Sequence, residues 1–269
     1  LPARTGTIPR IGLGTFGLTD DAGLAALLSA IDLGYRHLDT AQTYVTEENV
    51  GAAIARSEID RSEFFVTTKV TAPNLGRLTA SVDDSLRAMR LDCADLVLIH
   101  WPAPYDNPPV SAYIGELARL QDKGRARLIG VSNFTRRHVD EAIAEIGEGR
   151  LVNNQFEQHV FLQNRTLAGH CRDRGIAVTA YMPLAGGNLE GNATLEKIAR
   201  NHGATAAQVA LAYLLALGSI VIPKSAAPER QKSNLAAGDL ILDATDMGTL
   251  AALDRGERHI NPEWGPDWD

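Results

Sequence analysis

Short apolar, β-branched runs alternate strictly with stretches of helical period along the chain, and few architectures accommodate that order. Ile11–Gly14, Arg36–Asp39, Phe64–Val70, Asp95–Ile99, Leu128–Val131, Val152–Phe156, Val178–Tyr181 and Ser219–Ile222 read as strands. A first helix, capped by Asp20 or Asp21, is predicted to run to about Leu33. Others are predicted over Glu47–Arg56, Leu78–Arg90, Val110–Lys123, Thr135–Ile146, Arg165–Arg174, Thr194–His202, Ala206–Ala216 and Pro228–Ala236. Gly34, Gly124 and Gly175 stand just past three helix ends, where a left-handed residue is wanted. Thr245–Asp254 adds a helix after the last unit. No hairpin signal separates the strands, so neighbours pair in parallel through crossover helices. About eight such units close into a TIM-type (β/α)8 barrel. The expectation is one α/β domain over residues 1–269 with an extra C-terminal helix and tail. An open doubly wound sheet is the structural rival.

Composition narrows the function classes. With 45% hydrophobic and 22% charged residues, the 269-residue chain can build a full core. A net charge of −7 argues against nucleic acid or an anionic membrane as partner. Apolar stretches such as Val209–Leu217 are too short to span a bilayer. No signal-peptide pattern is visible in a chain that starts at Leu1. Cys93 and Cys171 lack metal or redox spacing and read as reduced thiols of a cytoplasmic protein.

Gly12-Leu13-Gly14-Thr15-Phe16-Gly17 matches G-x-G-x-x-G, and Asp39 follows about twenty residues on, as in a dinucleotide-binding Rossmann unit. Three features disfavour that reading: Pro9 precedes a very short strand, the helix cap falls after the third glycine, and Asp39 opens a different motif. A short-chain dehydrogenase is disfavoured because no tyrosine is followed four residues later by lysine.

Polar residues stand where strands should end. Asp39 closes Arg36–Asp39, Lys69 closes Phe65–Lys69, and His100 closes Leu96–His100, while Tyr44 lies just after the second strand. Singly, each has an ordinary structural explanation, such as a solvated lysine or a turn-opening aspartate. On adjacent barrel strands they converge on one rim, and a buried lysine needs an anion that Asp39 supplies. An ammonium beside a phenol lowers its pKa from about 10, which makes Tyr44 a usable general acid. Neutral His100 can hydrogen-bond a carbonyl oxygen. The set suits protonation of that oxygen while a cofactor delivers hydride to its carbon.

These residues resemble the aldo-keto reductases over nearly the whole chain. The likeness is carried by Gly12-Leu-Gly-Thr-Phe16, Leu38-Asp-Thr-Ala-Gln-Thr-Tyr44, Thr68-Lys69, Leu98-Ile-His-Trp-Pro102, Ile129-Gly-Val-Ser-Asn-Phe134, Asn154-Gln155 with Glu157, and Ile222-Pro-Lys-Ser225. It implies an NADPH-dependent enzyme without metal, in which Tyr44 donates the proton, Lys69 and Asp39 tune it and His100 orients the carbonyl. Ser132, Asn133, Gln155 and Tyr181 are implied at the nicotinamide, and Thr15 and Leu184 are implied among the cofactor-binding residues. Lys224, Ser225 and Arg230 are implied at the 2′-phosphate, and Asn234 at the adenine. Two departures stand out. Met182 replaces a serine common in the family beside the pyrophosphate, and Ser233 replaces a glutamate near the adenine.

Asn164, Tyr181-Met182, Ser233-Asn-Leu235 and the terminal Pro-Asp-Trp-Asp269 are similar to the bacterial 2,5-diketogluconate reductases of B type. That implies small aldehydes, ketones or dicarbonyls as substrates, methylglyoxal among them. Phe16, Tyr44 and Trp101 would wall the pocket, with Trp264 or Trp268 as a lid or merely as an anchor for the tail. A monomeric enzyme is expected. Two other functions stay open: a lyase forming a Schiff base on Lys69, and a non-catalytic NADPH-binding regulatory barrel.

Overall fold

Eight parallel strands form one sheet in sequence order: β1 (Leu13–Gly14), β2 (His37–Asp39), β3 (Phe65–Val70), β4 (Ala94–Ile99), β5 (Ala126–Ser132), β6 (Leu151–Glu157), β7 (Ala177–Tyr181) and β8 (Ile220–Val221). This computed structural model describes residues 8–269. The sheet closes on itself: Gly12 N–H donates to Val221 O and Val221 N–H to Arg10 O, each at 2.9 Å. Around the barrel run α1 (Asp21–Asp32), α2 (Glu47–Arg56), α3 (Leu78–Met89), α4 (Ile114–Asp122), α5 (Arg136–Ile146), α6 (Arg165–Asp173), α7 (Ala193–Asn201), α8 (Ala206–Ala216), α9 (Pro228–Ala236) and α10 (Ala244–Ala251). None of these helices is long and apolar enough to cross a membrane.

Closure explains the glycines that mimic a nucleotide loop. A Cβ on Gly14 would stand 2.9 Å from the Ile222 carbonyl, and one on Gly12 would sit 2.7 Å from the His37 ring. These positions are glycine because β1 presses against β8 and the barrel interior. The first helix starts after Gly17, with Asp20 as its cap: the carboxylate accepts from Gly23 N–H at 2.8 Å. The Rossmann alternative is thereby replaced by a packing requirement.

The interior changes character along each strand. Toward the strand starts, Ile8, Phe65, Leu96, Leu128, Val152 and Ile220 form an apolar plug, which Leu98 extends up to the level of Lys69. Above it His37 meets Thr67 at 3.1 Å and Asn153 donates to Thr179 at 2.8 Å. At the strand ends, period-two alternation brings Asp39, Lys69, Ser132, Gln155 and Tyr181 to the open rim. Outside the barrel the other parity packs on the helices: Val66, Val70, Val97 and Ile99 join Leu27 and Ile31 of α1 and Val50 of α2 in one cluster. Burying each such side chain is worth roughly 1.5–3 kcal/mol, so packing rather than helix propensity holds the ring together.

Two predicted helices are shorter in the structure. The segment predicted as Val110–Lys123 breaks at Tyr113, whose buried ring accompanies a φ of −130°; Val110–Ala112 is a separate turn and α4 starts at Ile114. The last helix ends at Ala251 rather than Asp254 and is capped by Asp243.

Candidate active site

Register sets the central contacts. Asp39 pairs with Thr67 and Lys69 with Leu98 across parallel strands, which places the ends of β2, β3 and β4 side by side. Lys69 Nζ donates to Asp39 Oδ1 at 2.5 Å and to Thr40 O at 2.9 Å, with Lys69 0% and Asp39 1% exposed. The second Asp39 oxygen accepts from Gln155 Nε2 at 2.8 Å. Nζ lies 4.8 Å from the centre of the Tyr44 ring. The Tyr44 ring meets Phe16 edge-on at 5.2 Å and His100 at 5.5 Å. Tyr44 and His100 keep part of their surface open to the rim, so the groups that would touch a substrate are reachable while the ion pair beneath is sealed.

The protonation states follow. Burial disfavours the charged Lys69, but the Asp39 and Tyr44 oxygens outweigh it and raise its pKa, so it stays an ammonium. Burial, aided by the Lys69 charge, pushes His100 down to about 3, so it is a neutral imidazole at physiological pH. Tyr44 corrects the expectation from sequence. Burial raises its pKa, Lys69 lowers it, Asp39 raises it again, and the net direction is upward. Lys69 therefore limits the cost of burying a phenolate rather than creating one, and Tyr44 remains protonated. The sealed amine also disfavours a Schiff base: Nζ is inaccessible and already held by a carboxylate and a carbonyl.

Other residues singled out from sequence are distributed as follows. Asn133, at a left-handed φ of 61°, donates to His100 O at 3.0 Å and to Ser132 Oγ at 3.1 Å, and accepts from Tyr181 Oη at 2.9 Å. Its carboxamide thus spaces three rim residues instead of standing free. Thr15 is fully buried, its hydroxyl bonded to Thr46 at 2.8 Å, so its side chain supports the Tyr44 segment instead of lining the rim. Leu184 packs at the edge of the second-half core. Ser225 is buried at the start of α9, bonded to Ala227 N–H at 3.1 Å and Arg230 Nε at 3.4 Å. Lys224 and Arg230 are exposed and, among the described residues, neither forms an ion pair, not even with Glu229 in the same turn. Asn234 is buried beside them. Gln231, not anticipated from sequence, ties this segment to α1 by donating to Ala26 O and Ser225 O, each at 2.9 Å.

The tail crosses the rim. Trp101 meets Trp264 edge-on at 5.3 Å and Trp268 at 6.0 Å, so both tail tryptophans pack on the residue that follows His100. Arg258 stacks over Trp268 at 3.6 Å and donates to Asn164 Oδ1 at 3.2 Å. The Asp269 carboxylate accepts from Arg136 N–H at the start of α5, at 2.8 Å. The unforeseen anchor is Glu157, which accepts from the backbone N–H groups of His259 and Ile260, both at 2.8 Å. Glu157, His159 and His259 are close enough for a metal, but the His159 tautomer disfavours one. Nδ1 accepts from Phe161 N–H at 3.3 Å, so Nε2 carries the proton donated to Glu157 at 3.0 Å. A metal at Nε2 would force an N–H on Nδ1 against another donor.

Burial raises the Glu157 pKa, but His159 and the two backbone N–H groups outweigh it, so the net shift is downward. A depressed folded value stabilises the docked tail above the ordinary carboxylate range and is lost as pH falls through that value. All three tryptophans lie in this one cluster, so their emission reports tail docking. Glu157→Gln is expected to shift emission to longer wavelength and increase acrylamide quenching at neutral pH. Wild-type protein should show the same change only in acid. Unchanged quenching in the variant would mean that Glu157 is not the anchor.

The family model for the aldo/keto reductase family matches residues 10–255. A methylglyoxal reductase, DkgB, of Salmonella typhimurium is 43% identical over 266 residues, covering 98% of this chain and 100% of its own length. A crystal structure of a protein assigned as a 2,5-diketo-D-gluconic acid reductase B superposes with a TM-score of 0.94 at 38% identity, covering 100% of this chain and 96% of that one. MGS-M4, an aldo-keto reductase from a Medee basin deep-sea metagenome library, superposes with a TM-score of 0.91 at 36% identity and 97% coverage of both chains. With the fold, the rim residues and these likenesses in agreement, the chain belongs to the aldo/keto reductase family.

Proposed function

We propose that the protein is an NADPH-dependent reductase of small aldehydes, ketones and dicarbonyls, of the methylglyoxal or 2,5-diketogluconate kind, with Tyr44 as proton donor. The observation that carries this reading is the sealed Lys69–Asp39 pair beneath a reachable Tyr44 and a neutral His100. When bound, NADPH supplies the hydride. A ring N–H of His100 polarises the substrate carbonyl. The Tyr44 O–H bond breaks as the new alcohol O–H forms, and the Lys69 ammonium stabilises the phenolate left behind. Gln155 and Thr40 O hold Asp39 and Lys69 in place, so the charges need not reorganise. Phe16, Trp101 and Trp264 form apolar walls that suit a small carbonyl compound.

The residues fit the cofactor. Two cations that have no acidic partner among the described residues, Lys224 before α9 and Arg230 in its first turn, stand at the start of that helix, where a helix N-terminus favours an anion. Ser132, Asn133, Gln155 and Tyr181 would hold the nicotinamide, and Asn234 the adenine. The reduced Cys93 and Cys171 suit a cytoplasmic enzyme, which we take to act as a monomer.

The test follows the loss of NADPH absorbance with methylglyoxal, 2,5-diketogluconate and an aromatic aldehyde. No turnover with any of them would reject the reading. Lys224→Ala and Arg230→Ala are each expected to weaken NADPH binding by about tenfold to a hundredfold while barely changing NADH, as loss of a charge-assisted phosphate contact requires. Equal effects on both cofactors would remove the 2′-phosphate clamp.

A further inference from the structure

The segment that presents Tyr44 gives up local stability twice. Val45 sits at φ 57°, ψ 32°, a left-handed conformation that is a genuine outlier for a β-branched residue. Thr46 occupies the cap position of α2, yet its hydroxyl makes no capping bond to the helix. A threonine there would ordinarily satisfy an exposed backbone N–H of the first turn. Instead its Oγ1 lies 2.8 Å from Thr15 Oγ1 and 2.8 Å from Thr40 Oγ1, and all three side chains are fully buried. Local rules broken at two consecutive positions beside a reacting group point to a role for the conformation they impose.

What the three hydroxyls join is specific. Thr15 follows β1, its N–H donates to Asp39 O at 3.0 Å, and the next residue, Phe16, braces the Tyr44 ring. Thr40 follows β2, its N–H donates to Thr67 O at 2.8 Å, and its carbonyl accepts from Lys69 Nζ at 2.9 Å. Thr46 starts α2, whose first residue, Glu47, accepts from Thr68 Oγ1 at 2.6 Å, next to Lys69 in the chain. Thr46 thus links the brace on one side of Tyr44 to the carbonyl that holds Lys69 on the other. The 3-10 turn Gln42–Tyr44 is spanned between that link and Gln42, which donates to Ser81 O and Ser85 Oγ, each at 3.1 Å.

We propose that Thr46, through its hydroxyl bonds to Thr15 and Thr40, is a positioning residue that fixes the Tyr44 phenol against Lys69 and His100, the left-handed Val45 directing the Thr46 hydroxyl inward instead of onto its helix. The proposal rests on Tyr44 being the proton donor. It predicts that the hydroxyl chain acts on the chemical step and not on cofactor binding, because none of its three members stands at the phosphate segment.

The test compares Thr46→Val, which keeps the shape and removes the hydroxyl, with Thr46→Ser, which keeps the hydroxyl. Thr46→Val is expected to lower kcat by on the order of tenfold to a hundredfold, since misplacement of a catalytic group by a fraction of an ångström is costly. KM for the carbonyl substrate and Kd for NADPH should stay within about twofold. The alkaline limb of its pH profile should move, because the phenol no longer sits at its fixed distance from Lys69. Thr46→Ser should restore both kcat and the limb. A Thr46→Val protein with a lowered Tm but wild-type kcat and pH profile would overturn the proposal and leave the threonines as packing. Should Thr46→Val fail to fold, Thr40→Val removes the neighbouring hydroxyl but not the carbonyl that holds Lys69, and the same signature or its absence decides. Tyr44→Phe assayed in parallel separates the two ideas: if it is fully active, the acid assignment fails, whereas an inactive Tyr44→Phe beside a normal Thr46→Val rejects only the positioning role.

Discussion

Tyr44→Phe lowers kcat for carbonyl reduction by on the order of a thousandfold while NADPH binds as before. The magnitude is that of a lost general acid, roughly 10² to 10⁴. The substitution removes one oxygen and keeps the ring that packs on Phe16 and His100, so the rim should not collapse. The pH profile of kcat/KM in wild-type enzyme carries the same information. Since burial outweighs the Lys69 charge and raises the Tyr44 pKa, the alkaline limb should lie above the usual phenol value of about 10. No limb should appear between about pH 5 and 8, because His100 titrates near 3. A limb in that range, or a Tyr44→Phe enzyme within tenfold of wild type, would assign the proton to another group.

Lys69→Met should cost both activity and stability, and the two can be separated. Removing one partner of a buried ion pair strands the other charge, which typically costs about 3–5 kcal/mol. Asp39 would retain only its bond from Gln155. At roughly 2–4 °C per kcal/mol for a chain of this size, Tm should drop by about 10 °C. The pH sign makes neutral conditions a fair place to measure it. A lysine whose folded pKa is raised contributes its stability in full below the unfolded value, and loses it only as pH rises through the folded one. The double variant Lys69→Met with Asp39→Leu replaces the pair by apolar groups, so most of the lost Tm should return. Activity should not return, since nothing then stabilises the Tyr44 phenolate. A stable single variant would mean that water reaches Asp39 once the amine is gone, contrary to its burial. An active double variant would mean that the ion pair is dispensable for catalysis.

Much of this site was legible in the linear chain, and particular residues show why. Asp39, Lys69 and His100 each stand at or next to the end of a strand, and parity along a strand decides which face a terminal residue joins. Parallel pairing of consecutive strands then makes them neighbours. Tyr44, one short turn beyond β2, came within reach of the same rim. The Gly12 and Gly14 pattern was legible as a constraint but not as a cause: only the contact of β1 with β8 shows what a side chain there would strike.

What stayed hidden depended on partners distant in sequence. Gln155 and Asp39 are 116 residues apart, and Glu157 is 102 and 103 residues from the backbone groups it anchors. Nothing local marks Thr46 as a threonine that declines to cap its helix.

The chain's periodicity and strand-end residues determined the barrel, the rim and which side chains are candidates for the reacting groups, because side-chain parity and helix signals act within a few residues of themselves. The tertiary structure alone decided how those groups are tuned. Desolvation made the net shift at Tyr44 upward where proximity to Lys69 suggested downward, and barrel closure set the glycines. Docking of the tail brought two tryptophans onto Trp101. Burial and long-range hydrogen bonds exist only once the sheet has closed, so they leave no periodic trace in the sequence.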